Sequence, residues 1–224
     1  MFLALGVVAG LFEAARSGKG QVVDAAMVDG ASSLISFLYG AFAAGFWQDR
    51  RSSNLLDGAT HFYNVYETSD GKYVSIGSIE PQFYAELLVR LGLSDEDLPG
   101  QLDAASWAPM RERFAGVFRT KTRDAWCEIM EGSDVCFAPV LSLEEAPEHA
   151  HMKARGAFIE IAGVKQPAPA PRFSRTPGEV RCPPCVPGND TVAILEEAGF
   201  SREEVAQLEG EGVVTAAGPE PADG

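Results

Sequence analysis

The chain has 224 residues, 46% hydrophobic, 9% aromatic and 22% charged, a length and usage that specify one large or two small folded domains and exclude a disordered, collagen-like or coiled-coil polypeptide. With 18 Lys and Arg against 32 Asp and Glu the formal net charge is -14, so no dominant basic face is available and nucleic-acid binding is excluded from the expected functions. Half of that charge falls in Glu196–Gly224, which holds eight acids and one base, and the body of the chain is only mildly acidic. Cys127, Cys136, Cys182 and Cys185 are not needed as staples at this length and no secretory signal accompanies them, so a reduced, cytoplasmic setting is expected.

Residues 1 to about 16 repeat apolar groups at helical spacing, with Gly6 and Gly10 on one side where another helix can approach. The 12-residue apolar run from Met1 to Phe12 is too short to span a bilayer and lacks a basic flank. This helix starts at the first residue without a cap, as expected of the middle of a domain whose earlier part is absent. Ser17-Gly18-Lys19-Gly20 ends it; Gln21–Val28 reads as a short strand and 30–47 as a buried helix rather than a membrane span. Helix, strand and helix suggest a fragment of an α/β layer.

A polar loop at 48–60 leads to two β-prone runs, Phe62–Tyr66 and Tyr73–Ile79, and the Asp70-Gly71 pair between them predicts a hairpin. Pro81 opens a helix with Phe83, Tyr84, Leu87, Leu88 and Leu91 on its apolar face. Helices are predicted near 106–118 and 122–131, a strand at Val135–Leu141, a short helix at 143–152 and a strand at Ala157–Ile161. Seven prolines between Gln166 and Pro187 predict an extended connector, followed by helices near 189–198 and 201–209. The expected fold class is therefore α/β: an incomplete large α/β domain with its linker helix (1–59), a smaller α+β domain (60–161), a Pro-rich return with C-terminal helices (162–212) and a disordered acidic tail (213–224).

Several motifs reduce to plain readings. Ser17-Gly18-Lys19-Gly20 lacks the spacing of a phosphate loop, and Cys182-Pro-Pro-Cys185 lacks the second pair a zinc site needs, so no metal is expected. His149 and His151, two apart, point away from each other on a helix and read as solvated. His61, beside Asn54 and Asp57 in a loop carrying Gly58, reads as structural. Glu80 is the most informative position. It falls between the end of a predicted strand and a helix N-terminus, where open α/β layers build sites and the helix dipole favours negative charge. It serves either as a general base or as a helix cap, and local features do not separate the two.

Four stretches carry a resemblance: SGKGQVVDAAMVDG (17–30), NLLDGATHFYNVYETSDGKYVSIGSIEPQFY (54–84), TKTRDAWCEIMEGSDVCFAPVLSLEEA (120–146) and RGAFIE (155–160). In order and spacing they resemble the C-terminal portion of α-methylacyl-CoA racemases, within the family III CoA-transferase (CaiB/BaiF-like) superfamily, over about residues 3–200. The resemblance implies a large nucleotide-binding-like α/β domain, a smaller α+β domain and two interlocked chains. It implies an activity in lipid metabolism: epimerisation at C2 of a 2-methylacyl-CoA, by removal and return of the α-proton through an enolate, with no cofactor beyond the CoA thioester itself. The glutamate of the family's I-E-P-Q-F-Y segment falls on Glu80, which makes Glu80 the candidate catalytic residue. Asn54, Asp57 and Gln82 are candidates for substrate binding.

The family's Gly-His-Asp and Gly-Asp-x-Gly-Gly motifs, and most of the basic residues that hold CoA, belong to its N-terminal half and do not occur in these 224 residues. Racemisation needs a second acid/base group, so activity is expected only with that half present. Transferase relatives generally lack the glutamate, which favours racemase over acyl-CoA transferase; a non-catalytic module that pairs with a full-length relative is the remaining alternative. The expected partners are an acyl-CoA and either a second copy or the N-terminal half, without nucleic acid or membrane. Without an adjoining sheet, the helices at 1–16 and 30–47 are expected to expose a large apolar patch.

Overall fold

The structure, a computed structural model, describes residues 1–183 and 186–216. Cys185 and most of the expected acidic tail lie outside the described residues. The chain divides into two compact units, 1–140 and from Leu141 onward, and the fold is mixed α and β, as the sequence predicts.

The core of the first unit lies under a three-stranded antiparallel sheet in which β1 (Tyr63–Glu67) pairs with β2 (Tyr73–Gly77) and β2 with β3 (Phe137–Val140). The hairpin register places Glu67 opposite Tyr73, and Gly71 takes the left-handed conformation (φ 72°) that the turn requires. Alternation along the strands sends Tyr66, Val74 and Ile76 inward. Three helices cover them. α4 (Pro81–Leu91) contributes Tyr84, Leu87 and Leu91; α5 (Trp107–Phe118) contributes Met110, Phe114 and Phe118; α6 (Arg123–Met130) contributes Trp126 and Met130. These are the i, i+3/i+4 and i+7/i+8 positions that share one helical face. Aromatic rings dominate the packing: Tyr66 stacks on Phe118 at 4.9 Å, Phe118 meets Trp126 edge-on at 5.1 Å, and Trp126 Nε1 donates to the Phe118 carbonyl at 2.8 Å.

The ends of α4 follow the sequence signals. Pro81 occupies its first turn, where the missing N–H costs nothing, and Gly92 closes it in the left-handed conformation. The hairpin turn is tied to the start of α6, because Asp70 Oδ1 accepts from Arg123 N at 3.1 Å and the buried Arg123 side chain donates to the Val140 carbonyl at 3.0 Å.

Ahead of this core lie α1 (Phe2–Ser17), α2 (Met27–Leu34) and α3 (Ser36–Ala43). Gly18 caps α1 in the left-handed conformation, so the Ser17–Gly20 motif is a helix-ending turn. The strand predicted over 21–28 does not form: the segment before Met27 has no regular secondary structure and, among the described residues, pairs with no strand, while Met27 and Val28 begin α2. The small residues of α1 receive this segment instead of a helix, and a Cβ on Gly6 would stand 2.6 Å from a Val23 methyl. The helix predicted over 30–47 breaks at Ile35 into α2 and α3.

None of the three helices contains a buried residue, and Leu3, Leu11, Phe12, Phe37 and Phe46 are each more than half exposed. No helix among the described residues is long and apolar enough to cross a membrane. A patch of this kind predicts self-association at micromolar concentration, and Phe12→Ser with Phe37→Ser should weaken it and lower dye binding to exposed apolar surface. Light scattering that reports a monomer for both forms would contradict the prediction.

In the second unit, α7 (Ala150–Ala154) and a preceding 3₁₀ turn replace the single helix predicted over 143–152. β4 (Phe158–Ile161) pairs with β5 (Val164–Pro167), a strand that the Pro-rich connector hid. The two residues between them, Ala162 and Gly163, both have positive φ (49° and 76°), as a two-residue hairpin turn demands. Glu148 bridges Lys153 and Lys165, each at 2.6 Å. α8 (Thr191–Glu197) and α9 (Arg202–Gly210) follow, the second closed at its start by a Ser201–Glu204 capping box.

His61 is a core residue. It is fully buried, its Nε2 lies 2.8 Å from the Tyr84 hydroxyl, and Phe62, Tyr84 and Phe114 surround the ring edge-on at 5.1–5.5 Å. Its Nδ1 has no hydrogen-bond partner among the described residues. Burial pushes its pKa down to about 4 from 6.5. The unfolded chain therefore takes up a proton on this imidazole below pH 6.5 that the folded chain refuses until about pH 4, and stability is lost across that interval as pH falls, by up to about 3 kcal/mol. Urea midpoints between pH 7 and pH 5 should fall more steeply in the natural chain than in His61→Gln; parallel slopes would refute this.

Candidate active site

Glu80 stands where β2 gives way to α4, at the helix N-cap with φ -70° and ψ 141°. Its side chain is exposed and makes no capping hydrogen bond, so it does not serve as a side-chain cap of α4. Its backbone carbonyl starts the helix by accepting from Tyr84 N at 3.0 Å, while its carboxylate is left for other uses. Gln82, in the first turn of the same helix, is also exposed. The two therefore occupy one helix end and face solvent.

The residues just before Glu80 are held from three directions. Ser78 is fully buried; its N–H donates to the Phe62 carbonyl at 3.0 Å and its hydroxyl to the Val135 carbonyl at 2.6 Å. Gln101, in the loop between α4 and α5, donates its side-chain amide to the Ser78 carbonyl at 2.9 Å and the Ile79 carbonyl at 2.8 Å. Trp107 Nε1 in turn donates to the Gln101 carbonyl at 3.0 Å.

Cys136 belongs to the same neighbourhood. Its carbonyl accepts from Gly77 N at 2.9 Å, its φ is 52° and its thiol is exposed. Burial of its surroundings, then the charge of Glu80, then that of Asp134 push this thiol up. Cys136 also lines a groove of about 390 Å³ on the outer face of the sheet, with Leu56, Tyr63, Val65 and Ser75. In the sequence Cys136 reads only as one of four cysteines not needed as staples, and nothing marks Gln101. The strand prediction at 135–141, next to a hairpin ending at 79, was the signal that could have brought Cys136 beside Glu80.

Asn54 and Asp57 are placed differently. Asn54 is buried; its Oδ1 accepts from Gln48 N at 2.7 Å and its Nδ2 donates to the Gln48 carbonyl at 3.0 Å and to Asp57 Oδ2 at 2.8 Å. Asp57 accepts from Ser53 N and Asn54 N, each at 3.0 Å, and from Ala59 N at 3.2 Å. Burial raises the Asp57 carboxyl, but the hydrogen bonds from Ser53, Asn54 and Ala59 outweigh it and leave the group below its ordinary value. The pair shapes the 48–60 loop, whose Leu56 and Gly58 edge the groove, and Arg111 fastens its end through the Gly58 and Ala59 carbonyls at 2.8 and 3.0 Å.

Among the described residues no three His, Cys, Asp or Glu side chains gather as a metal site. The arrangement thus offers an exposed carboxylate without a capping role, near a thiol that itself lines an apolar groove.

The family model for CoA-transferase family III matches residues 1–191. The chain belongs to that family. It is 46% identical over 217 residues to the α-methylacyl-CoA racemase of Mus musculus, which covers 96% of this chain and 57% of that protein. The Homo sapiens α-methylacyl-CoA racemase is 44% identical over 218 residues, 96% of this chain and 56% of that protein. A solved CaiB/BaiF family protein from Brucella suis has the same fold at TM-score 0.66 and 22% identity, over 86% of this chain and 52% of that one. This family III chain therefore spans about half the length of the curated relatives it matches.

The Asn54–Asp57 bonds predict a clear cost. Asn54→Ala leaves the Gln48 N–H and carbonyl and the Asp57 carboxylate short of partners, and should lower the unfolding free energy in urea by about 1–3 kcal/mol. A change within a few tenths would mean the loop is not held by this pair.

Proposed function

We propose that this chain is the part of an α-methylacyl-CoA racemase that supplies one of its two acid/base groups, Glu80. The support is the uncommitted carboxylate at the β2–α4 junction, in a segment that resembles the racemases and in a chain 44–46% identical to two of them. In this reading the α-proton at C2 of a 2-methylacyl-CoA leaves to one group, the thioester carbonyl holds the resulting enolate charge, and a proton returns from a second group on the opposite face. Glu80 takes or gives the proton on its side. No metal or resident cofactor is proposed, because the thioester itself is the electron sink.

Gln82 binds substrate beside Glu80, and Asn54 and Asp57 do so through the loop they shape. The second group and the cationic contacts for the CoA phosphates come from a partner: the remainder of the family's length, a second copy in an interlocked dimer, or both. The division at 59/60, 161/162 and 212/213 describes how the chain contributes to that assembly, which works in the cytoplasm on lipid-derived acyl-CoA.

The test is deuterium uptake at C2 of a 2-methylacyl-CoA in heavy water, by the chain mixed with the unmatched portion of a family racemase as a separate polypeptide. Exchange should appear only in the mixture and fall by about 10²–10⁴ in Glu80→Gln. Undiminished exchange in that variant would remove Glu80 from the mechanism. Movement of CoA to a free acid without C2 exchange would replace racemase by transferase.

A further inference from the structure

The position of Glu80 is set by residues that touch no part of its side chain. Two peptide units precede it, and both of their carbonyls accept from a single donor group, the Gln101 amide, at 2.9 and 2.8 Å. One side chain that binds two successive carbonyls fixes the orientation of both peptide planes, and so fixes the direction in which the next Cα–Cβ bond leaves the backbone. Gln101 is itself braced, by the Trp107 indole on its carbonyl at 3.0 Å. The other end of the junction has its own anchor, the Tyr84 hydroxyl on buried His61 Nε2 at 2.8 Å. Glu80 is the first of the exposed residues, with Pro81 and Gln82, between these two clamps.

We propose that Gln101 is a positioning residue for Glu80: by holding the Ser78 and Ile79 carbonyls it sets where the glutamate's carboxylate stands. The catalytic consequence rests on the racemase reading above, but the positioning itself has a readout that needs neither substrate nor a second polypeptide. That readout is Cys136, whose thiol is pushed up first by burial of its surroundings, then by the charge of Glu80 and then by that of Asp134. A carboxylate that moves away stops opposing thiolate formation, and the thiol becomes more reactive at neutral pH.

The experiment uses the full chain with Cys127, Cys182 and Cys185 replaced by serine and follows alkylation of Cys136 by iodoacetamide from pH 6 to pH 10. Glu80→Gln should speed alkylation at pH 7 by roughly two- to fivefold. Gln101→Met, which keeps the length of the side chain and removes its donors, should shift the profile in the same direction. Added to Glu80→Gln it should do nothing more, because a residue that acts through Glu80 has no effect once that charge is gone.

A Gln101→Met shift that persists in the Glu80→Gln background, or no shift at all, overturns the proposal. Should Gln101→Met fail to fold, Trp107→Phe loosens the brace alone and must give a smaller shift of the same sign, also lost with Glu80→Gln; its absence is equally fatal. The racemase reading fails separately: C2 exchange that survives Glu80→Gln, together with an intact thiol cycle, leaves Gln101 positioning a glutamate that is not catalytic. Loss of exchange in Glu80→Gln with no thiol response to Gln101→Met keeps the reading and discards the positioning.

Discussion

Ser78 is the point on which the candidate site depends. Its peptide and hydroxyl join the residue just before β1 through Phe62, the approach to β3 through Val135, and the α4–α5 loop through Gln101. A polar residue can be fully buried only if its hydrogen-bonding groups find partners, and here those partners come from three distant parts of the sequence. The next two positions inherit that rigidity: Ile79, partly buried, is held by the same glutamine, and Glu80 is the first fully exposed residue after Ser78. A catalytic carboxylate needs such a mount, because acid/base chemistry tolerates little error in the approach of the proton.

The aromatic core explains why the mount stays in place. Phe62, which receives the Ser78 amide, packs beside His61 and Tyr84, and Phe114 faces the same imidazole. The one polar contact within this group, His61 to Tyr84, spans the gap between the start of β1 and the first turns of α4. Burying a neutral imidazole with one nitrogen unsatisfied costs stability. In return it ties the helix that begins after Glu80 to the segment just before β1, where Phe62 accepts from Ser78. The Tyr84 hydroxyl is correspondingly pushed up to about 12 by burial, so it stays a neutral hydrogen-bonding group throughout the physiological range.

Much of this was legible in the residues. Pro81 and Gly92 mark the ends of α4, Asp70-Gly71 marks the hairpin, and apolar spacing selects Tyr84, Leu87 and Leu91 as the buried face. The junction that carries Glu80 follows from these signals alone. What stayed hidden depends on separation in sequence or on partners that no local pattern encodes. Gln101 lies more than twenty residues from the carbonyls it binds, and nothing in its neighbourhood marks it. The strand expected at 21–28 has the right residues, yet a strand exists only where another edge accepts its hydrogen bonds, and Val23 finds the notch at Gly6 and Gly10 instead. The β4–β5 hairpin escaped because Ala162 adopts a left-handed turn conformation usually left to Asn, Asp or Gly.

The same physics separates the two parts of the first unit. From Phe62 to Val135 one set of apolar residues closes into a shared core, although Tyr63, Val65 and Tyr73 stay exposed on the outer face of the sheet. In α1, α2 and α3 the apolar residues are distributed around the helices, the pattern of elements that are covered on more than one side. Their contacts are local: Phe2 against Gly30, Val23 against Gly6. Few buried contacts mean low resistance to local opening, so these helices exchange their amide protons earlier than the strands and helices around Ser78. The region that positions Glu80 is thus held by its own core, and its geometry does not depend on how the apolar helices ahead of it are covered.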